Sequence, residues 1–206
     1  MKRTKEDANE TRKNIMKAAI KIFSSKGYNK ATFVDIAAEA NVTRGAVYWH
    51  FKSKAELYIS LSKEFGHGFV LNEVEKVKNM NELKTIEKIK YIMDKYLEML
   101  ETNEEFRAME EMDLKMIDTD DGEVAEYLQN ELNNLTNPDE NFVMLIKEGV
   151  NRGEFKEEID AQLIFKTMSS CILGAELIWI LNKKSYSIKE RISEIMEPIL
   201  EMIIKK

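Results

Sequence analysis

Three helix starts crowd into residues 32–56. Thr32 stands before Phe33, Val34 and Asp35 in a capping-box arrangement with Asp in place of Glu, Thr43 precedes Arg44, and Ser53-Lys54-Ala55-Glu56 is a full Ser-x-x-Glu box. Each start satisfies the orphan amide N–H groups of a first turn and so fixes where a helix begins. The stretch is therefore a run of short helices joined by tight turns, with Asn41 as the turn residue between the first two. A longer helix over about residues 7–25 precedes them, because Ile15, Ala18, Ala19, Ile20, Ile22 and Phe23 recur at steps of three and four, and Gly27 stands where a left-handed C-cap belongs. Two prolines and eight glycines in 206 residues leave few reversals for a many-stranded sandwich or barrel, so the expected fold class is all-α.

Beyond the Ser53 box, Leu57, Leu61 and Phe65 share a stripe, Gly66-His67-Gly68 weakens the helix, and Phe69, Val70, Val74 and Val77 resume it. Ile86, Ile89, Met93, Tyr96, Leu97 and Leu100 mark a fifth helix and Phe106, Met109, Met112 and Met116 a sixth, before residues 118–122 break the pattern. Tyr127, Leu128, Leu132 and Leu135 predict another. A further helix begins at Asn137-Pro138, carries Phe142, Leu145, Ile146 and Val150, and ends over residues 149–153. Two long helices close the chain, over about residues 160–182 and 187–205, the latter striped by Ile188, Ile192, Ile195, Ile199 and Ile203. Residues 171–181 are apolar on nearly every side, so more than one face needs cover. A partner subunit is the economical cover, giving a four-helix bundle from the last two helices of each of two chains.

The charge is divided as sharply as the pattern. The net charge of −6 conceals 13 Lys+Arg against 7 Asp+Glu in residues 1–65, and 18 against 30 in residues 66–206. A basic head neutralises phosphates and an acidic body repels them, so DNA would be held at one end. Other chemistries are excluded. The single Cys171 allows no intramolecular disulfide and no multi-cysteine zinc site, and His50 and His67 offer little nitrogen ligation, so no metal or other cofactor is expected. There is no Gly-x-Ser-x-Gly, no phosphate-cradling glycine loop, no paired histidine–carboxylate spacing and no Cys–His arrangement, so the chain is not expected to be an enzyme. The longest apolar run, residues 171–181, contains Glu176 and is about half the ~18–20 residues of a membrane span. Residues 1–10 are charged, with no apolar stretch behind them to make a secretory signal. A cytoplasmic location without membrane contact is expected.

The segment 32–51 has helix-turn-helix spacing, with Ile36, Ala37 and Ala40 on the first helix and Ala46 and Val47 on the second. Small alanines let two helices cross closely, so that the second enters a major groove while the first spans the backbone. The second helix has a suitable polar edge in Thr43, Arg44, Gly45, Tyr48 and His50, followed by Lys52 and Lys54: Arg suits guanine and Lys suits phosphate. A helical hairpin with a solvated basic face has the same spacing.

The residues themselves resemble a known family. Thr11-Arg12-x-x-Ile15-Met16-x-Ala18-Ala19-x-x-x-Phe23-x-x-x-Gly27-Tyr28-x-x-Ala31-Thr32-x-x-Asp35-Ile36-Ala37, followed by Ala40-x-Val42-Thr43-x-Gly45-Ala46-Val47-Tyr48-Trp49-His50-Phe51-x-x-Lys54-x-x-Leu57, resembles the DNA-binding domain of the TetR/AcrR transcriptional repressors. The match covers about residues 8–58. The rest agrees in length, helix pattern and an Arg152-Gly153-Glu154-Phe155 turn before the last two helices. The resemblance implies an N-terminal three-helix helix-turn-helix domain, residues 1–52, followed by a larger helical ligand-binding and dimerisation domain, residues 53–206. It also implies a homodimer on a palindromic operator, released by a small inducer. Carried over by position, Thr32, Thr43, Tyr48, His50 and Lys54 would hold phosphates, while Arg44, Gly45 and Trp49 would face bases or the groove wall. Thr32 and Thr43 also read as N-caps, and Tyr48, Trp49 and Phe51 as packing of the hairpin on the first helix, a role preferred for Phe51. Lys2, Arg3 and Lys5 form either a minor-groove arm or a solvated terminus.

For the inducer, the resemblance points to the helices of the body. Met93, Tyr96, Met99, Leu100, Phe106, Met109, Met112, Met116, Met144, Met168 and Trp179 are a methionine- and aromatic-rich set suited to a lipophilic guest, and such stripes are also plain core. Glu176, a carboxylate in an apolar run, needs a partner: a cross-dimer hydrogen bond first, a cationic ligand second, or water. The acidic residues between Glu104 and Asp121 read as a solvated face or an attraction for lipophilic cations, and Gly66-His67-Gly68 as a hinge or a plain break. A DNA-binding regulator without a small-molecule inducer, constitutive or controlled by a protein partner, is the alternative.

Overall fold

The computed structural model describes residues 5–116, 119–136 and 140–205, and the regular elements among them are helices. They are α1 (Lys5–Lys26), α2 (Phe33–Glu39), α3 (Arg44–His50), α4 (Lys54–Phe65), α5 (His67–Lys78), α6 (Thr85–Thr102), α7 (Glu104–Met116), α8 (Gly122–Thr136), α9 (Glu140–Asn151), α10 (Ala161–Leu181) and α11 (Ile188–Ile203). The caps close as the sequence implies. Thr32 Oγ1 accepts the Asp35 N–H at 3.2 Å while Asp35 Oδ2 accepts the Thr32 N–H at 3.0 Å. Thr43 Oγ1 accepts the Ala46 N–H at 3.2 Å, and Ser53 Oγ the Glu56 N–H at 3.0 Å. At the Ser53 box the Glu56 carboxylate accepts the Lys52 N–H at 2.7 Å. Gly27 (φ 79°) ends α1 and Asn41 (φ 52°) turns the chain between α2 and α3, both in the left-handed region.

Two compact units result. The first gathers α1–α4 with α7 and the first turns of α8, the residues up to 68 and those between 105 and 127. Ile15, Met16, Ala19, Ile20 and Phe23 of α1, Ile36 of α2, Leu57, Tyr58 and Leu61 of α4, and Phe106 and Met109 of α7 are buried. From α3 only Val47 is buried.

The second unit contains α5, α6, the rest of α8, and α9–α11, with α6 and α10 each packed on α9 and α11. Its interior holds charge. Lys88, 1% exposed, donates from Nζ to Glu148 Oε1 at 3.1 Å, and Arg152 Nη1 donates to the same oxygen at 3.1 Å. Arg152 Nε lies 2.9 Å from Glu154 Oε1, and Glu154 Oε2 accepts the Thr85 N–H at 2.5 Å. The Arg152-Gly153-Glu154-Phe155 turn thus joins the end of α9 to the start of α6. Backbone bonds from Lys156 N to Ile203 O and from Lys205 N to Glu154 O, both 2.9 Å, add the end of α11.

Four expectations change. Gly149 lies inside α9 rather than at its end, and a Cβ there would overlap the Phe155 ring. The inward residues of α11 are Ile188, Ile192, Met196, Leu200 and Ile203. Ile195 and Ile199 are half-buried because steps of 3.6 residues per turn carry them to the edge of that sector. The apolar character of α10 reaches beyond residues 171–181, since Ala161, Leu163, Ile164, Phe165 and Met168 precede them in a 21-residue helix that contains an 18-residue window of mean hydropathy 1.5, enough to cross a bilayer by length and composition. Finally, Glu176 faces inward, 2% exposed, and accepts the Tyr96 hydroxyl at 2.8 Å within the same chain. The helix start read at Asn137-Pro138 and the arm residues Lys2 and Arg3 lie outside the described residues, and Lys5 is already in α1.

Candidate nucleic-acid interface

The surface around α3 is built on one anchor. Val47 is fully buried, so the residues before and after it turn outward: Tyr48 is 46% exposed and Trp49 74%. Large aromatics are rarely left in water without a use, and these two carry a polar tip each. The Tyr48 ring packs edge-on against Phe33 of α2 (centroids 5.0 Å apart), while its hydroxyl accepts from Arg44 Nη2 at 3.1 Å. The Arg44 guanidinium also lies 5.2 Å from the Tyr48 ring centre, which holds an otherwise mobile side chain at the N-terminal end of α3. Trp49 and His50 stack edge to face at 4.5 Å. Asn41, Val42, Thr43 and Ala46 line a shallow depression at the turn between α2 and α3. Gly45 is not required by the fold, because a Cβ there would meet only Thr43 Oγ1, at 3.8 Å. Its smallness leaves the outer face of α3 low, where another backbone can come close.

The structure brings Thr43, Arg44, Gly45, Tyr48, Trp49 and His50 onto one short helix and its cap. Phe51 is buried, with the Arg12 guanidinium 5.2 Å from its ring centre. Thr32 caps α2, and Asp35, bonded by the Lys26 ammonium and then by the Thr32 hydroxyl, is held below the usual carboxylate range. Lys54 is placed differently from the phosphate-holding position implied for it. Its Nζ donates to the carbonyls of Tyr28 (2.7 Å), Asn29 (3.3 Å) and Ala31 (3.4 Å) and lies 4.4 Å from the Tyr28 ring centre. Burial pulls its ammonium below the ordinary lysine range. It ties the loop before α2 to the start of α4.

The residues expected around an inducer fall into both units. Phe106, Met109 and Met112 are core of the first. In the second unit, Tyr96 and Glu176 bond to each other, Met168 is buried on α10, Met93 is half-buried, and the Trp179 indole N–H donates to the Tyr186 carbonyl at 2.7 Å, closing the turn between α10 and α11. Met144 points outward, 59% exposed. Cys171 is half-buried. Asp113 and Asp121, read from sequence as part of a solvated or cation-attracting acidic run, instead accept the hydroxyls of Tyr58 and Tyr28, across 55 and 93 residues of chain, a role the sequence did not assign to either tyrosine. No local pattern signals bonds of that span.

A three-helix head with a solvent-facing, basic and aromatic third helix defines a helix-turn-helix DNA-binding protein. The description "Bacterial regulatory proteins, tetR family" matches residues 15–61, and "YsiA-like protein, C-terminal region" matches residues 65–205. The chain belongs to the tetR family, as a transcription regulator and not an enzyme. It is 29% identical over 205 residues to the HTH-type transcriptional regulator TtgR of Pseudomonas putida, covering 98% of this chain and 96% of that one. It is 25% identical over 193 residues to the fatty acid metabolism regulator protein of Bacillus subtilis, covering 93% and 95%. The fold is similar to that of SmeT from Stenotrophomonas maltophilia in its triclosan complex, with a TM-score of 0.82 at 22% identity over 96% of this chain and 93% of that one.

Proposed function

We propose that this regulator is a cytoplasmic repressor that binds a palindromic operator as a homodimer and leaves it when a lipophilic effector enters the body. The observation that carries the reading is α3: one buried valine, and Arg44, Tyr48 and Trp49 presented together on its outer side. In this reading residues 1–52 contact DNA, with Arg44 and Trp49 toward bases and Thr32, Thr43, Tyr48 and His50 on phosphates. Residues 53–206 dimerise and sense. Dimerisation through α10 and α11 is supported by the apolar side chains left in water on one chain, Leu163 (59%), Leu177 (43%), Ile178 (55%), Leu181 (72%) and Met202 (63%). A lipophilic effector is supported by the methionine and aromatic side chains of α6 and α10, and by the full-length relative whose name is fatty acid metabolism regulator.

Fluorescence anisotropy of the chain on its own upstream DNA, at two salt concentrations, tests this. Tight sequence-preferring binding is expected, abolished by one of three additions: a long-chain acyl-coenzyme A, triclosan, or a lipophilic cation. Specific binding that none of them changes would favour a regulator controlled without a small molecule. Equal binding to scrambled duplex would remove the operator reading altogether.

A further inference from the structure

Among the described residues of the first unit, three large hydrophobic side chains are left in water, and all three lie on the helix-turn-helix: Tyr48 and Trp49 of α3, and Val34 of α2, which is 57% exposed. Val34 is the one without a polar tip. On α2 the inward residues are Phe33, Ile36 and Ala37, so the outer surface divides into two flanks. Asp35 and Glu39, four residues apart, make the first. Lys26 Nζ of α1 lies 2.5 Å from Asp35 Oδ1 and Lys21 Nζ of α1 lies 3.3 Å from Glu39 Oε1, so this flank is engaged by α1. Val34 and Ala38, also four apart, make the second, about 100° round the helix, and both are exposed. That flank carries no charge.

The second flank runs on toward α3. Phe33, next to Val34, packs its ring against Tyr48 with the centroids 5.0 Å apart. The Ala38 carbonyl accepts the Asn41 N–H at 3.2 Å, and Asn41, Val42, Thr43 and Ala46 line the depression at the turn into α3. A lone exposed valine is ordinary on a protein surface. This one continues the outer surface of the DNA-binding hairpin, and because Ala38 is short, Val34 is the side chain that stands out from its flank. A phosphate is met by charge or by a hydrogen-bond donor, and the valine side chain offers neither. The thymine edge in the major groove is different, for it alone carries an apolar group, the C5 methyl, and a hydrocarbon side chain gains by covering it.

We propose that Val34 is a specificity-determining residue of operator reading, packing its methyl groups on the C5 methyl of a thymine at one position in each half-site while Arg44 reads another position. The proposal rests on the operator reading above, in which α3 lies in the major groove. Both helices of the hairpin then choose bases. α3 supplies charge and hydrogen bonds, and α2 supplies an apolar contact that separates thymine from cytosine, whose C5 bears no methyl. Covering one methyl group is worth about fourfold in a binding constant, so Val34 tunes sequence preference at its position and leaves the bulk of the affinity to the polar contacts.

Uracil scanning reads this directly, because putting uracil in place of thymine deletes the methyl and keeps the base pair. Each thymine of the shortest upstream duplex that retains specific binding is replaced in turn, in both half-sites together, and the unaltered chain and Val34→Ala are titrated on every duplex. For the unaltered chain at least one symmetric pair of positions is expected to lose about tenfold or more, two methyl contacts at about fourfold each. For Val34→Ala the loss at one such pair should fall to about twofold or less, and the losses at the other thymines should stay as they were. The side chain is exposed, so alanine leaves the core intact, and matching melting temperatures check that it does. A Val34→Ala profile identical to that of the unaltered chain would overturn the proposal. So would a uniform weakening on every duplex, scrambled DNA included, which would put Val34 against the sugar–phosphate backbone. A specific operator on which no uracil weakens the unaltered chain would overturn the proposal and leave the operator reading standing. Absence of specific binding by the unaltered chain would overturn the operator reading, and the proposal with it.

Discussion

α3 and α10 both leave large side chains in water, and they do it in opposite ways. α3 buries Val47 and turns Arg44, Tyr48 and Trp49 outward, so its exposed aromatic surface is mixed with hydrogen-bonding groups and a fixed positive charge. α10 buries Ala161, Met168, Ala175, Glu176 and Trp179 and turns Leu163, Leu177, Ile178 and Leu181 outward. Over residues 171–181 the one charged group, Glu176, is inside and hydrocarbon is outside. A surface of the first kind suits a hydrated polyanion, which needs charge and donors; one of the second kind loses free energy in water until another apolar surface covers it. Each exposed leucine or isoleucine that becomes covered is worth up to about 1.5–3 kcal/mol. The helix with the better DNA surface and the helix with the better protein surface are therefore distinguished by which side their polar groups occupy.

The strongest way to break this comparison is to give α10 the polarity of a solvated helix. The double substitution Ile178→Asp and Leu181→Asp should leave each chain folded, because both side chains are already more than half exposed. It should convert a dimer to a monomer in sedimentation velocity and weaken operator binding by about 100-fold or more, since one half-site no longer helps hold the other. A variant that remains dimeric would place the interface elsewhere. A smaller effect is expected from α3. Arg44→Ala removes the guanidinium held by Tyr48 and should cost about 1–3 kcal/mol at one base position per half-site, relaxing preference there in a competition series. An equal loss on scrambled duplex would make Arg44 a phosphate contact instead.

How much of this was legible in sequence follows from the range of each interaction. The caps at Thr32, Thr43 and Ser53 bond amides three residues on, so a short string of letters contains the whole interaction. The helices of the head and the α10 boundaries at Asp160 and Asn182 were readable for that reason. Periodicity tells which residues face inward but not what they face. Phe106, Met109 and Met112 are buried as their spacing implies, yet they belong with the head. Met144 reads as an interior residue by its type, although Phe142, Val143, Leu145 and Ile146 form the inward row of α9 and leave it on the opposite side. Glu176 reads as a charge in need of a partner, and the Tyr96 hydroxyl that meets it is 80 residues away.

Lys54 sharpens the comparison from the head side, at lower amplitude. Three carbonyls and the face of Tyr28 surround its ammonium. Lys54→Ala should therefore lower stability by about 1–2 kcal/mol in a chemical denaturation series, through carbonyls left without their donor and a lost cation–π contact. The salt slope of DNA binding should change by well under one unit. A slope flattened by about one would return Lys54 to the phosphates.

Lys88 is the case neither exposed helix presents, a charge taken fully inside and met there by Glu148. Burial alone would raise the Glu148 carboxyl, but the hydrogen bonds from Lys88 and Arg152 outweigh it and hold the group below its ordinary value of 4.5. The unfolded chain then binds this proton before the folded one does, so the pair's contribution is complete above about pH 4.5 and is lost as the pH falls through the lower folded value. The effect is modest, since the Glu148 side chain is 38% exposed and solvent screens it. Lys88→Met keeps the length of the side chain without the charge. Its stability near neutral pH should stay within about 1 kcal/mol of the unaltered chain, because Arg152 still serves Glu148 and the methionine refills the buried volume. Melting curves between pH 3 and pH 7 should shift in favour of Lys88→Met toward the acid end, because as Glu148 takes up its proton the unaltered chain is left with a buried ammonium short of its counter-charge. Curves that stay parallel to the lowest pH would show that Lys88 acts by filling space and not by its charge.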